Sequence, residues 1–204
     1  MTIGKLYIIS APSGAGKTSL VKQLVTDVDG LAVSISHTTR PMRPGEIEGQ
    51  DYYFVSAADF TLMQEKQAFL EHAQVFDNFY GTARQTVTEN LNRGLDVILE
   101  IDWQGAEQIK TLLPDSLSIF ILPPSTQVLL QRLQNRGQDD EQTIARRMRD
   151  AVAEIRHHGE FDYLVVNDVF AQALTELKSI IIANRLTRQR QLHNLKPLLA
   201  SLLA

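Results

Sequence analysis

Lys5-Leu-Tyr-Ile-Ile-Ser10 runs into Ala11-Pro-Ser-Gly-Ala-Gly-Lys-Thr18, and this junction decides the fold. The first stretch reads as a short buried strand. Beyond the loop, Leu20, Val21, Leu24, Val25 and Val28 recur at the spacing of a core-facing helix over residues 18–28. Strand, small-residue loop, Gly-Lys-Thr and helix come in the order of a phosphate-binding loop, or P-loop. Residues Ala11, Pro12, Ser13, Gly14, Ala15 and Gly16 shape such a cradle, with backbone N–H groups from all but Pro12, and the helix N-terminus adds partial positive charge. In that arrangement Lys17 reaches the β- and γ-phosphates of a nucleoside triphosphate, and the Thr18 hydroxyl is the candidate ligand for Mg²⁺. Ala11 stands where the first glycine of the usual pattern would be, a position far from the phosphates.

Working outward, residues 31–36 form a second strand. Between 37 and 94 the character changes: a Pro/Arg/Gly-rich loop from Thr39 to Gly45, a strand over 51–55, and Ser56 three residues before Asp59 as a helix N-cap. A strand over 69–76, a turn at 78–81 and a helix over 85–93 stopped by Gly94 complete the stretch. Strand and helix then alternate again: strands at 96–101, 117–122 and 163–166, helices at 106–113, 125–137 and 140–158, and helical sequence to the end, interrupted near Pro197. Such alternation predicts an α/β fold, a parallel sheet with helices on both faces, with 37–94 inserted into one domain spanning 1–204.

Composition narrows the classes. An apolar content of 44% and a charged content of 22% are those of an ordinary globular chain. With no cysteine, disulfides, zinc–thiolate sites and thiol nucleophiles are excluded. A net charge of −4 argues against a general nucleic-acid binder, so phosphate must be met by local basic clusters. Residues 1–10 lack the pattern of a secretory signal, and no apolar run is long enough to span a bilayer, so a cytoplasmic location is expected. The five histidines show no metal-ligand spacing and read as surface or helix-end residues. Arg185 to Arg190 reads as a solvated helix face.

Ser34-Ile-Ser-His-Thr-Thr-Arg40, Pro41-Met-Arg-Pro-Gly-Glu46, Gly49-Gln-Asp-Tyr-Tyr-Phe54, Phe69-Leu-Glu-His-Ala73, Asn78-Phe-Tyr-Gly-Thr82, Ile101-Asp-Trp-Gln-Gly-Ala106 and Val165-Val-Asn-Asp168 follow one another along nearly the whole chain. In kind and order they resemble the guanylate kinase family, whose members move a phosphoryl group from ATP to GMP on a P-loop NTPase-like fold with an inserted GMP-binding subdomain and a helical lid. The resemblance implies that Arg40, Arg43, Tyr52 and Tyr80 hold the GMP phosphate. It sets Glu71 and Asp102 against the guanine N–H donors, with Ser36 and Thr82 near O6. A carboxylate is acceptor-only and matches guanine N1–H and N–H₂, whereas adenine offers an acceptor at N1. Glu100 stands where the family commonly has aspartate, leaving open whether it joins a magnesium–water network or only supports the site.

By the same resemblance Arg132, Arg136 and Arg147 belong to a lid at about 132–150 that closes over ATP, and Asn167 borders the adenine site. Arg132 and Arg136, four apart, share a helix face. With Lys17 and Arg40 they are the candidate catalytic groups, neutralising charge on the migrating phosphoryl. ATP and GMP, with dGMP as a related acceptor, are the implied partners, and a homo-oligomer stays open. Two alternatives stand beside this reading: a scaffold module that keeps the fold without catalysis, and a kinase for another nucleoside monophosphate.

Overall fold

A computed structural model describes residues 4–75, 77–135 and 140–204, with the side chain of His193 outside that set. Strand β1 (Leu6–Ser10) is buried along its whole length and lies at the centre of a five-stranded sheet. Its neighbours are β7 (Asp96–Glu100) and β8 (Leu117–Leu122), flanked by β2 (Leu31–Ser34) and β9 (Tyr163–Val166), giving the order β2-β7-β1-β8-β9. Every pairing is parallel. Side chains alternate along β1: Tyr7 and Ile9 face one core with Leu20, Leu24 and Leu177, while Leu6 and Ile8 face a second with Val97, Leu99 and Ile109. Both faces are therefore apolar, which is why these strands read as continuous hydrophobic runs.

Helices α1 (Lys17–Asp27) and α7 (Phe170–Arg185) supply buried side chains to the first core. Helices α3 (Arg84–Asn92) and α4 (Trp103–Leu112) supply Val87, Ala106 and Ile109 to the second. Each fully buried leucine or isoleucine contributes about 1.5–3 kcal/mol relative to leaving it in water. Between β2 and α3 lies a second sheet, order β4-β3-β6-β5, made of β3 (His37–Thr38), β4 (Tyr53–Phe54), β5 (Phe69–Val75) and β6 (Asn78–Ala83). Helix α2 (Ala57–Glu65) packs Phe60 against Phe69 and Phe79 of that sheet. Its N-cap is Ser56, whose hydroxyl accepts the Asp59 N–H at 3.0 Å.

After β8 come α5 (Thr126–Asn135) and α6 (Glu141–Ile155), a 3₁₀ turn at Arg156–Glu160, then β9, α7, α8 (Arg188–Asn194) and α9 (Lys196–Leu202). Residues 136–139, like Phe76, fall outside the described residues.

Several sequence expectations change. Asn78 to Gly81 is strand, not turn: it pairs with β5 (Ala73 with Tyr80) and with β3 (His37 with Gly81), and that double ladder outweighs the local turn preference of Asn and Gly. The 103–112 helix starts three residues earlier than its apolar spacing suggests, because Asp102 caps it. The C-terminal helical sequence is interrupted near Pro197 as expected: α8 ends at Asn194 and α9 starts at Lys196, where the missing N–H of Pro197 costs nothing in a first turn. Arg185 and Arg190 are not merely solvated. Both pair with Asp96, only 1% exposed, at 2.8 and 2.7 Å, and the Lys5 N–H bonds the same carboxylate. His37 is half-buried rather than on the surface: its ring lies tilted against Tyr53 in the second sheet, and its buried Nδ1 has no hydrogen-bond partner among the described residues.

Candidate active site

Five parallel strands place their C-terminal ends on one side, where open α/β sheets put ligands. The loop after β1 crosses that side. Gly14 and Gly16 both take left-handed backbone angles, φ 92° and 93°, which a residue with a Cβ rarely adopts. A Cβ on Gly16 would also lie 2.4 Å from Asn167 Nδ2. Asn167, 5% exposed after β9, donates from Nδ2 to the Ala15 carbonyl at 2.7 Å. Arg132 on α5 donates to the Asn167 carbonyl at 2.9 Å and toward the Ala15 carbonyl at 3.4 Å. Loop, last strand end and α5 are thus tied together, with Ser13 and Ala11 half-buried and Pro12 buried within the loop.

Next to the loop, the end of β7 carries the acids. Lys17 makes one long contact, 3.5 Å, to the Ile101 carbonyl, which also receives the Ser10 hydroxyl at 2.7 Å. The Thr18 hydroxyl lies 3.3 Å from Glu100 Oε2. These are hard oxygen donors of the kind magnesium prefers. Among the described residues no group of three or more His, Asp or Glu is arranged to hold a metal by itself. Asp102 spends Oδ1 on the Gly105 N–H and Oδ2 on the Gln104 amide, both at 3.0 Å.

From the second sheet comes Glu71, 3% exposed, accepting the Thr82 hydroxyl at 2.5 Å. Burial pushes its carboxyl up to about 7; the Asp102 charge adds to the shift, while Thr82 and the Lys17 charge oppose it. Ser36, 8% exposed, and Thr82, fully buried, line the same sheet. Arg40 is buried to 8% exposure and already engaged: Nη2 bonds Glu46 at 2.7 Å, Nη1 bonds the Pro41 carbonyl, and the cation lies 5.3 Å from the Tyr52 ring centre. Burial works against its charge, but Glu46 and Tyr80 outweigh it and hold the guanidinium above its usual pKa. Arg43 is exposed, its N–H bonded to the other Glu46 oxygen. The Tyr52 and Tyr80 rings meet edge-on at 5.9 Å, and burial, with the neighbouring Tyr80 and Glu100, pushes the Tyr52 phenol up to about 12.

Lys17, Thr18, Glu100, Asp102 and Glu71 therefore gather at one mouth, with Tyr52 within the field of Glu100. Arg132 is on the loop side of it. Arg147 sits half-buried on α6. Arg136 lies outside the described residues. Two acidic neighbours of these residues escaped the sequence reading. Glu46 balances Arg40, and only its place in a Pro-Gly-Glu turn hinted at it. Glu154 reaches from α6 to the Ser13 N–H; burial first, then the charges of Asp102 and Asp150, push it up to about 7 against the pull of Lys17 and Ser13. Spacing on an amphipathic helix gives no sign of that reach. An open cavity of about 580 Å³ lies elsewhere, lined by His37, Tyr53, Met63 and Arg84, and contains none of the residues gathered at the mouth.

Comparison with known proteins agrees with this geometry. The guanylate kinase family model matches residues 3–184. The guanylate kinase of Methylococcus capsulatus is 59% identical over 203 residues, covering 100% of both chains. That of Saccharophagus degradans is 57% identical, covering 98% of each. The crystal structure of guanylate kinase from Anaplasma phagocytophilum superposes with a TM-score of 0.76 at 32% identity, over 93% of this chain and 90% of the other. A parallel sheet flanked by helices, a strand–loop–helix P-loop and full-length likeness to these enzymes lead to one statement: the chain belongs to the guanylate kinase family.

Proposed function

We propose that this protein transfers the terminal phosphoryl group of ATP to GMP, giving ADP and GDP in purine nucleotide metabolism, with Mg²⁺ as cofactor and dGMP as a second acceptor, in the cytoplasm. The observation that carries the acceptor's identity is Glu71, a buried carboxylate beside Asp102 at the mouth shared with the P-loop. Two acceptor-only groups there suit the N1–H and N–H₂ donors of guanine and repel the N1 lone pair of adenine. Thr82 and Ser36 are hydroxyl donors for O6.

The loop from Ala11 to Gly16 wraps the triphosphate with backbone N–H groups, and Lys17 neutralises its β- and γ-oxygens. Thr18, with Glu100 through water, would hold Mg²⁺, which lends positive charge to the phosphates. Residues 37–94 form the GMP-binding part. There Arg40 exchanges Glu46 for the GMP phosphate, a bidentate partner of higher charge, with Arg43, Tyr52 and Tyr80 completing the grip. Residues 132–150 act as the lid: Arg132, Arg136 and Arg147 close on the transferring group and exclude water. No base is needed, because the attacking GMP oxygen is already ionised. Asn167 borders the adenine.

A coupled assay across GMP, AMP, UMP and dTMP tests this reading. GMP is expected to exceed the others in kcat/KM by roughly four orders of magnitude, the range of polar discrimination. Comparable turnover of AMP or a pyrimidine nucleotide would replace it with another monophosphate kinase, and no turnover of any would favour a binding module. No helix among the described residues is long and apolar enough to cross a membrane.

A further inference from the structure

In the order β4-β3-β6-β5, strand β5 has a free outer edge, and helix α4 closes it with side chains. Gln108 Oε1 accepts the His72 N–H at 3.2 Å while its Nε2 donates to the His72 carbonyl at 2.8 Å. Only one orientation of the amide satisfies both bonds, so the side chain imitates the peptide of an adjacent strand. One turn earlier on the same face, Gln104 donates to Asp102 Oδ2 at 3.0 Å and toward the Gln74 carbonyl at 3.4 Å. His72 follows Glu71 in the chain, and Asp102 is the N-cap of α4. The fit between helix and strand is close: a Cβ on Gly105 would stand 2.5 Å from Glu71 Oε2.

One helix thus carries Asp102 at its start and grips, through Gln108, the strand that carries Glu71. The two carboxylates come from different sheets and are far apart in sequence. Once Glu71 is ionised the two repel each other, so their spacing must be set by the elements that carry them. The Lys22–Asp51 ion pair, which joins α1 to residues 37–94, lies on the surface, with Lys22 65% exposed, and contributes little to this spacing.

We propose that Gln108 is a positioning residue for base recognition, holding Glu71 in register with Asp102 through the His72 main chain. This rests on the reading of Glu71 and Asp102 as the guanine-binding pair. Gln108 touches no substrate. It fixes the spacing of two acceptors so that both donors on the guanine edge are met at once, and loosening it costs discrimination before it costs chemistry.

The experiment compares Gln108→Leu, similar in size but without either bond, and Gln108→Glu, which keeps an acceptor for the His72 N–H and loses the donor. The readout is kcat/KM for GMP divided by that for IMP, whose base lacks the exocyclic amine, together with KM for ATP and melting temperature. For Gln108→Leu the GMP KM should rise and the GMP-to-IMP ratio should fall, each about tenfold, with kcat and the ATP KM within about twofold of wild type. Gln108→Glu should fall between the two, and it decides alone if the leucine variant does not fold. A ratio unchanged in both variants, or GMP, IMP and ATP parameters worsening together, would overturn the proposal and leave Gln108 a purely structural residue. Glu71→Ala run alongside separates the two levels. If it lowers the ratio and the Gln108 variants do not, the positioning role alone fails; if it does not lower the ratio, the base-recognition reading itself fails.

Discussion

Asn167 Nδ2 donates a 2.7 Å hydrogen bond to the carbonyl oxygen of Ala15, joining the end of the last strand to the middle of the P-loop. The bond is buried, and it depends on Gly16, because a Cβ there would stand 2.4 Å from the amide nitrogen. Asn167→Ala leaves that carbonyl with only the 3.4 Å contact from Arg132, whose bond to the main-chain carbonyl of residue 167 is kept. A buried group stripped of its partner costs about 1–3 kcal/mol, so kcat/KM for ATP should fall by roughly ten- to a hundredfold. The KM for GMP should hardly change. Steady-state kinetics with each substrate varied in turn checks this, and an ATP KM equal to wild type would show that the loop keeps its shape unaided.

Lys17→Met should abolish transfer while leaving the fold intact. Lys17 is half-buried, and its one hydrogen bond among the described residues is the 3.5 Å contact to the Ile101 carbonyl, so little stability depends on it. Its charge matters once triphosphate is bound. Loss of such an electrostatic donor typically removes about 10²–10³ in kcat. Measured at saturating ATP and Mg²⁺, turnover within tenfold of wild type would end the assignment of Lys17 to the phosphates.

Glu71 gives a pH signature. Its carboxyl is pushed up to about 7, chiefly by burial, so the empty protein holds a proton there that the unfolded chain releases nearer the ordinary value of 4.5. The raised pKa contributes stability that is fully present below the unfolded value and lost as pH rises through about 7. GMP binding has the opposite sign, because guanine donors need the ionised carboxylate. Between pH 6 and 8 GMP affinity should rise about tenfold through this group. The GMP phosphate itself titrates near 6, so the comparison is Glu71→Gln against wild type. Calorimetric titrations at the two pH values should show a steeper rise for wild type, and parallel slopes would mean that Glu71 is already ionised.

Asp96 should be a stability residue with no kinetic role. Its carboxylate is 1% exposed beneath Arg185 and Arg190, at the end of β7 opposite the site. Asp96→Asn removes one side of a buried ion cluster, at a cost on the order of 3 kcal/mol. Urea unfolding should show the midpoint falling with the slope unchanged. Both KM values should stay near wild type in the folded fraction.

Local sequence carried the fold a long way because its signals are local. A strand must be apolar on both faces to lie inside a parallel sheet, and β1, β7 and β8 are. The two P-loop glycines, the Ser56 cap and the alternation of strand and helix each follow from backbone geometry within a few residues. The motifs likewise placed Lys17 and Thr18 where the loop opens its helix and Asp102 at a strand end. What escaped were pairings across the chain. Asn78 to Gly81 carries turn residues, yet two neighbouring strands make it a strand. Arg185 and Arg190 look like solvent-facing charge until Asp96, some 90 positions away, is folded under them.

The chain's own order of residues determined that a triphosphate loop opens an α/β sheet and which side chains are candidates for the acceptor. Tertiary structure decided how those candidates are charged and held. Glu71 is an ordinary glutamate in sequence; burial beside Asp102 raises its pKa, and α4 grips its strand through Gln108. Arg40 is a basic loop residue until Glu46 and Tyr52 enclose it, and Glu154 meets Ser13 only when α6 crosses the loop. Hydrogen-bond and Coulomb energies depend on distance and on exclusion of water, and neither exists along an extended chain until packing brings remote segments together.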